Sequence, residues 1–176
     1  MNIFVLNSGR CGSSTFIKSC QHIINYSSGH ESKLSKLGSE RLNYPNNHIE
    51  ADNRLSWILG RLDETYGNDA CYVHLTRNKN DTSESFAKRI DFGILKAYEQ
   101  GVLMHDKHIS SSKIIAEDYL QTVESNIKLF LKDKTNKIDI SLENIEYDFT
   151  RFWSLINAQG DLNNALKEWQ TTYNAS

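Results

Sequence analysis

The chain has 176 residues, 39% of them hydrophobic, with one proline and a formal net charge of −2, so we predict one compact domain, 1–176, with a buried core. The pI near 6.3 excludes a general attraction to nucleic acid or to anionic membranes, and any anion site must be local. No apolar run predicts a membrane span and no leader segment is recognised. Together with three cysteines that lack paired spacing, this leads us to expect a cytoplasmic protein.

The N-terminal stretch predicts a buried strand, a tight loop and a helix. Residues 2–6 are apolar and β-prone, and helical periodicity begins at Ser13 or Ser14 and fades near residue 26. Glycines let the loop turn tightly, and the unpartnered N–H groups that open the helix attract an anion. We therefore predict a phosphate-type site, with an ordinary strand-to-helix turn as the alternative. Its candidate ligands are Gly9, Arg10, Cys11, Gly12, Ser13, Ser14 and Thr15.

The next segment is predicted to be mostly loop. Residues 27–32 open onto the ligand side, and 33–47 form a long loop with a short helix. A second strand is predicted over 48–52, after which Asp52 or Asn53 caps a helix over 54–66, and a third strand covers 70–76.

The third strand leads into a second candidate binding loop. Arg77 leaves the carboxyl end of the strand and Ser85 lies eight residues later, with Asp81 expected to cap the next helix and Glu84 to complete a capping box. Ligands of parallel sheets bind beyond the carboxyl ends of the strands. We therefore expect Arg77 and Ser85 to face the same crevice as the first loop.

The second half of the chain predicts mainly helices. They are expected over 90–100, 113–132, 147–156 and 161–173, with one further strand over 137–143. His105 and His108 lie in a connector over 101–112 and are expected at the surface. The predicted fold is three-layer α/β/α, with a central, mainly parallel sheet of four to five strands.

Two known phosphate loops do not fit the first motif. A nucleoside triphosphatase loop has a lysine after its second glycine, and no lysine follows Gly12. A cysteine phosphatase loop has an arginine six positions after its cysteine, where this chain has Ile17.

Both loops resemble those of the sulfotransferase family. Arg10-Cys11-Gly12-Ser13-Ser14 is similar to the 5′-phosphosulfate loop, commonly basic-Ser-Gly-Thr-Thr. The second loop resembles the 3′-phosphate motif Arg-Asn-Pro-x-Asp-x-x-x-Ser, with matches at Arg77, Asn78, Asp81 and Ser85 and with Lys79 in place of the proline. The resemblance covers roughly the first half of the chain and implies a P-loop-like sulfotransferase fold.

The resemblance also implies a reaction. The donor would be 3′-phosphoadenosine 5′-phosphosulfate (PAPS) and the product 3′-phosphoadenosine 5′-phosphate (PAP), with no metal and with a small-molecule, carbohydrate or lipid acceptor. Arg10 would act on the bridging oxygen, while Arg77 and Ser85 would bind the 3′-phosphate. His30 and Glu31 are the first candidates for the base that deprotonates the acceptor, followed by Glu50 and Asp52.

The chain departs from the family pattern at three points. Cys11 replaces serine, and Arg10 and the helix N-terminus are expected to lower its pKa and make it sensitive to oxidation. Thr15 stands where many members carry a tryptophan that stacks on adenine, and the basic, glycine-containing segment that completes the 3′-phosphate site is not recognised. Two alternatives remain open: a metal-dependent kinase with a degenerate loop, and a non-catalytic nucleotide-binding module.

Overall fold

The protein is built around one parallel five-stranded sheet. The computed structural model describes residues 1–104 and 111–171. The sheet has the strand order β2-β3-β1-β4-β5, and every neighbouring pair is parallel, which confirms the predicted α/β fold. The strands are β1 Ile3–Leu6, β2 Ser27–His30, β3 His48–Ala51, β4 Cys71–Thr76 and β5 Lys137–Ser141.

Helices cover both faces of the sheet and complete the three layers. Helices α1, α6 and α7 pack on one face, and α2 to α5 pack on the other. The helices are α1 Ser13–Cys20, α2 Leu59–Tyr66, α3 Lys79–Ala87, α4 Gly93–Ala97, α5 Ser112–Leu131, α6 Ile145–Leu155 and α7 Leu162–Lys167.

The central strand β1 explains why the sequence folds in this way. Ile3 and Val5 pack into the cluster under α1 and α6, whereas Phe4 and Leu6 pack into the cluster under α5, and all four side chains are fully buried. An uninterrupted apolar strand is typical of a sheet covered on both faces. Each such side chain stabilises the fold by about 1.5–3 kcal/mol.

Strand β2 is the main feature that the sequence did not predict. Residues 27–32 were expected to form a loop, but Ser27–His30 pairs in parallel with β3, from Ser27 opposite His48 to His30 opposite Ala51. The strand is polar because it lies at the edge of the sheet and is largely exposed. Helix α1 also ends earlier than predicted, at Cys20, which leaves room for the chain to reach this edge.

Several helix boundaries also differ from those predicted. The predicted helix over 54–66 is a 3₁₀ turn, Asn53–Trp57, followed by α2, although Asp52 caps it as expected. The side chain of Asn78, not Asp81, caps α3 by accepting from the N–H groups of Asn80 and Asp81. Because α3 begins at Lys79, Glu84 lies too far along it to complete a capping box.

The remaining elements follow the prediction in outline. A 3₁₀ turn, Gly38–Leu42, is the short helix expected in the long loop. A π-helical turn, Tyr98–Val102, extends α4, and 3₁₀ turns follow β5 and α7. His105, His108 and residues 172–173 of the last predicted helix lie outside the described residues.

Gly160 should be indispensable for stability, whereas Gly60 should not. A Cβ at Gly160 would lie 2.0 Å from the carbonyl oxygen of His22, and its φ of +140° suits glycine alone. Gly160→Ala is expected to lower the free energy of unfolding by at least about 2 kcal/mol. The control Gly60→Ala lies in α2 with no atom within 4 Å of its Cβ, and should raise it by up to about 1 kcal/mol. Urea unfolding measures both, and equal effects would contradict the fold.

Candidate functional site

The loop between β1 and α1 turns tightly with a partly left-handed backbone. Gly9, Arg10 and Gly12 all have positive φ, at +96°, +58° and +87°. Turns that bring successive backbone N–H groups together suit an anion. The N-cap residue of α1, Gly12, makes no side-chain hydrogen bond to the first turn of the helix, and the N–H groups that open a helix attract anions.

Side chains from other elements pack against the two glycines of this loop. A Cβ at Gly9 would come within 3.0 Å of Asn53 Nδ2 and Phe86 Cζ, and one at Gly12 within 3.1 Å of Leu142 Cδ1. The side chain of Asn7 holds the loop from within by accepting from the N–H of Gly9 at 2.9 Å. Both glycines are therefore closely packed against neighbouring elements.

Arg10 points from the loop toward α3. Its Nε donates to Ser85 Oγ at 2.9 Å. Partial burial lowers the pKa of the Arg10 guanidinium, and the positive charges of Arg89 and Arg77 lower it further. An anion bound at this corner would relieve the repulsion among the three arginines.

Arg77 lies on the other side of the same loop. Its Nη1 is 3.5 Å from the carbonyl oxygen of Arg10, and its Nη2 is 3.8 Å from Asp81. Arg77 lines a cavity of about 230 Å³ with Lys79 and Lys128, whereas Arg10 lines a cavity of about 320 Å³ with Ser13 and Ser14. One shared crevice was expected, but the two arginine side chains line different cavities on either side of the first loop.

Ser85 also has a different partner from the one expected. The resemblance placed it beside Arg77, but α3 carries it over to the first loop, where it accepts from Arg10.

His30 and Glu31 lie at the mouth of the first cavity. His30 Nε2 lies 3.1 Å from Ser13 Oγ and 3.4 Å from Ser14 Oγ. Glu31 Oε1 lies 2.9 Å from Arg54 Nη1. Strand β2 brings both side chains to the loop, and all of these residues line the Arg10 cavity.

The second pair of candidate bases lies inside the protein. Glu50 and Asp52 are fully buried. Asp52 pairs with Arg41 and accepts from the N–H of Arg54 at 2.8 Å, while Glu50 accepts from Ser32 and contacts His48. Neither carboxylate lines the Arg10 cavity.

The expectation for Cys11 is wrong. Its side chain is 1% exposed, and burial, followed by the charge of Glu124, raises its pKa to about 12. These effects outweigh the backbone N–H groups and Arg77, which act in the opposite direction. Thr15 is also buried, so only its backbone N–H remains a candidate ligand.

The first cavity has further walls that the sequence analysis missed. They come from the 3₁₀ turn after β3, from α3, from the turn that follows it and from the start of α4. Only Phe86 and Arg89 could have been found in the sequence, since they follow Ser85 by one and four positions. The wall residues are Asn53, Arg54, Phe86, Arg89, Phe92, Gly93 and Ile94.

Within 1–104 and 111–171, no group of three or more histidine, cysteine or carboxylate side chains is arranged to hold a metal ion. Among the helices of the same two segments, none combines the length and the apolar character needed to cross a bilayer.

Comparison with known proteins relates this architecture to solved structures. No protein-family model matches the chain, and no curated protein sequence matches it. The sulfotransferase domain from the curacin biosynthetic pathway superposes with a TM-score of 0.64 at 14% identity, over 97% of this chain and 78% of that one. Mouse sulfotransferase SULT7A1 complexed with PAP superposes with a TM-score of 0.58 at 13% identity, over 98% of this chain and 64% of that one.

The fold is therefore the one found in sulfotransferases, and the resemblance seen in the sequence is confirmed at the level of the fold. The chain spans somewhat less than two thirds of the mouse protein.

Cys11 should resist alkylation in the native protein. With a pKa of about 12, about one thiol in ten thousand is ionised at pH 8, and the side chain is buried. Cys20 and Cys71 are buried as well. Mass spectrometry after iodoacetamide treatment should find all three cysteines unmodified in the native protein and alkylated in urea. Rapid labelling of Cys11 in the native protein would contradict its placement.

Proposed function

We propose that the protein is a sulfotransferase that moves a sulfuryl group from PAPS to a hydroxyl or amine by in-line transfer, without a metal. The observation that carries the proposal is the meeting of the α1 N-terminus, Arg10 and Arg77 at one loop, in a fold shared with a sulfotransferase that was solved with PAP.

The 5′-phosphosulfate fits the first loop. Backbone N–H groups of residues 11–15 supply donors, and the hydroxyls of Ser13 and Ser14 border the same cavity. Arg10 supplies a fixed positive fork beside them. In sulfuryl transfer, as in phosphoryl transfer, charge develops on the leaving oxygen, so a cation here stabilises the transition state more than the bound donor.

The 3′-phosphate fits the Arg77 cavity. The two phosphates of PAP leave the ribose in different directions, so a ligand that carries both is suited to two cavities on either side of one loop. The 3.5 Å contact between Arg77 and the Arg10 carbonyl keeps those cavities adjacent. The Arg77 cavity also receives the side chains of Lys79 and Lys128, which add positive charge.

His30 is the base that we favour. Its Nε2 lies at the Ser13 and Ser14 hydroxyls, which is where the transferring group would lie. Glu31 stands beside it but is paired with Arg54. The acceptor would then enter past Phe86, Phe92 and Ile94, which give one wall of the cavity an apolar surface.

These walls suit a small-molecule, carbohydrate or lipid acceptor that presents its hydroxyl or amine to His30.

We also propose a cytoplasmic location, supported by three buried cysteines that form no disulfide.

PAP should stabilise the protein without magnesium. At one hundred times its Kd, a ligand that binds only the folded state adds about 2.7 kcal/mol of stability, seen as a higher Tm.

Arg77→Ala should weaken PAP binding by about 10- to 100-fold, because it removes a charged hydrogen-bonding partner of a phosphate, and should leave AMP binding nearly unchanged. Arg10→Ala should slow transfer more than it weakens binding.

Arg151→Ala is the matched control, because it removes an exposed arginine on α6 whose partner is Asp148. Stabilisation by ATP with magnesium in place of PAP would favour a kinase. Equal PAP affinity in wild type and Arg77→Ala would contradict the proposal that Arg77 binds the 3′-phosphate.

A further inference from the structure

The turn that carries His30 and Glu31 has little support from the sheet itself. It follows β2, a four-residue edge strand that hydrogen-bonds to β3 on one side. Glu31 has a φ of +54°, a conformation that costs a non-glycine residue about 1 kcal/mol or more. Other contacts must hold this turn in place.

Glu50 supplies several of these contacts from the neighbouring strand. Its side chain is fully buried, and both of its oxygens are occupied. Oε1 accepts from the N–H of Ser32 at 2.7 Å, and Oε2 accepts from Ser32 Oγ at 2.6 Å. Oε2 also lies 2.9 Å from His48 Nε2, and the other ring nitrogen of His48 lies 2.8 Å from Ser27 Oγ. One carboxylate thus links both ends of β2 to β3.

The last residue of β3 and the residue that follows the strand act on the same turn. The carbonyl oxygen of Ala51 accepts from the N–H of Glu31 at 3.0 Å. Asp52 lies 3.8 Å from Arg54, and Arg54 pairs with Glu31. Three consecutive residues, 50–52, therefore hold Ser32 and Glu31, while His30 reaches the hydroxyls of the first loop.

The network is costly for a purely structural element. Burial of a carboxylate costs several kcal/mol unless charge and hydrogen bonds compensate for it, and an apolar side chain often stabilises a strand equally well. Gly29 also belongs to this arrangement, because a Cβ there would lie 2.7 Å from Glu50 Oε2. A costly buried carboxylate at Glu50 is explained if the protein needs the turn over residues 30–32 held in one geometry.

We infer that Glu50 is a positioning residue: its buried carboxylate holds Ser32 and thereby fixes the turn that places His30 at the sulfuryl-binding loop. The inference rests on the proposed function for the reaction that His30 serves. Glu50 does not touch the substrate and acts through His30.

Glu50→Gln tests the inference with two measurements. The ring signal of His30, assigned by its loss in His30→Gln, should move in NMR spectra of wild type when PAP is added. In Glu50→Gln that movement should fall by more than half, although PAP still raises the Tm. Release of PAP from PAPS, with water as the acceptor, should slow by about 10- to 100-fold with an unchanged KM, because small misplacements of a catalytic group have effects of that size.

Asp148→Asn is the matched control, since Asp148 is also a buried carboxylate that accepts a backbone N–H, that of Ser141, and it lies on α6. Ser32→Ala is a milder variant that removes one of the hydrogen bonds to Glu50, and it should act in the same direction if Glu50→Gln does not fold. In a His30→Ala background, Glu50→Gln should cause no further loss of rate.

Two results would overturn the inference. One is a His30 signal in Glu50→Gln that responds to PAP as in wild type and in Asp148→Asn. The other is a loss of rate on Glu50→Gln that is equally large in wild type and in the His30→Ala background. A wild-type protein that neither binds PAP nor releases it from PAPS would instead contradict the proposed function itself.

Discussion

The structure depends on the left-handed backbone between β1 and α1. The central strand is covered on both faces, so the chain leaves it at its carboxyl end and turns sharply into α1. Gly9, Arg10 and Gly12 make that turn with positive φ, and for Arg10 this costs about 1 kcal/mol or more. Packing of Asn53, Phe86 and Leu142 against the two glycines holds the turn. The proposed site for the 5′-phosphosulfate lies at this turn.

Charge around this loop gives the proposed site its chemical character. Burial, and then the charges of Arg89 and Arg77, lower the pKa of Arg10, so three arginines lie near this loop although the whole chain has a net charge of −2. A multiply charged anion compensates such a cluster better than a neutral ligand does. The end of the polar edge strand β2 and the residue after it add an imidazole and a carboxylate to the cavity that Arg10 lines.

The sequence predicted those features that depend on local pattern. The apolar runs of β1 and β4 and the glycine-rich turn predicted the sheet and the first loop, and the spacing of Arg77 predicted a second cation beside it. Strand β2 could not be predicted, because Ser-Ser-Gly-His has no strand pattern and forms one only by pairing with β3. The high pKa of Cys11 and the separation of the two cavities depend on burial and on side-chain direction, which spacing along the chain does not specify.

A crystal structure with PAP tests the central claim most directly. The account predicts the 5′-phosphate within hydrogen-bonding distance of the backbone N–H groups of residues 11–15, and the 3′-phosphate against Arg77 on the far side of the loop. PAP bound elsewhere, or held with its 3′-phosphate away from Arg77, would contradict the account.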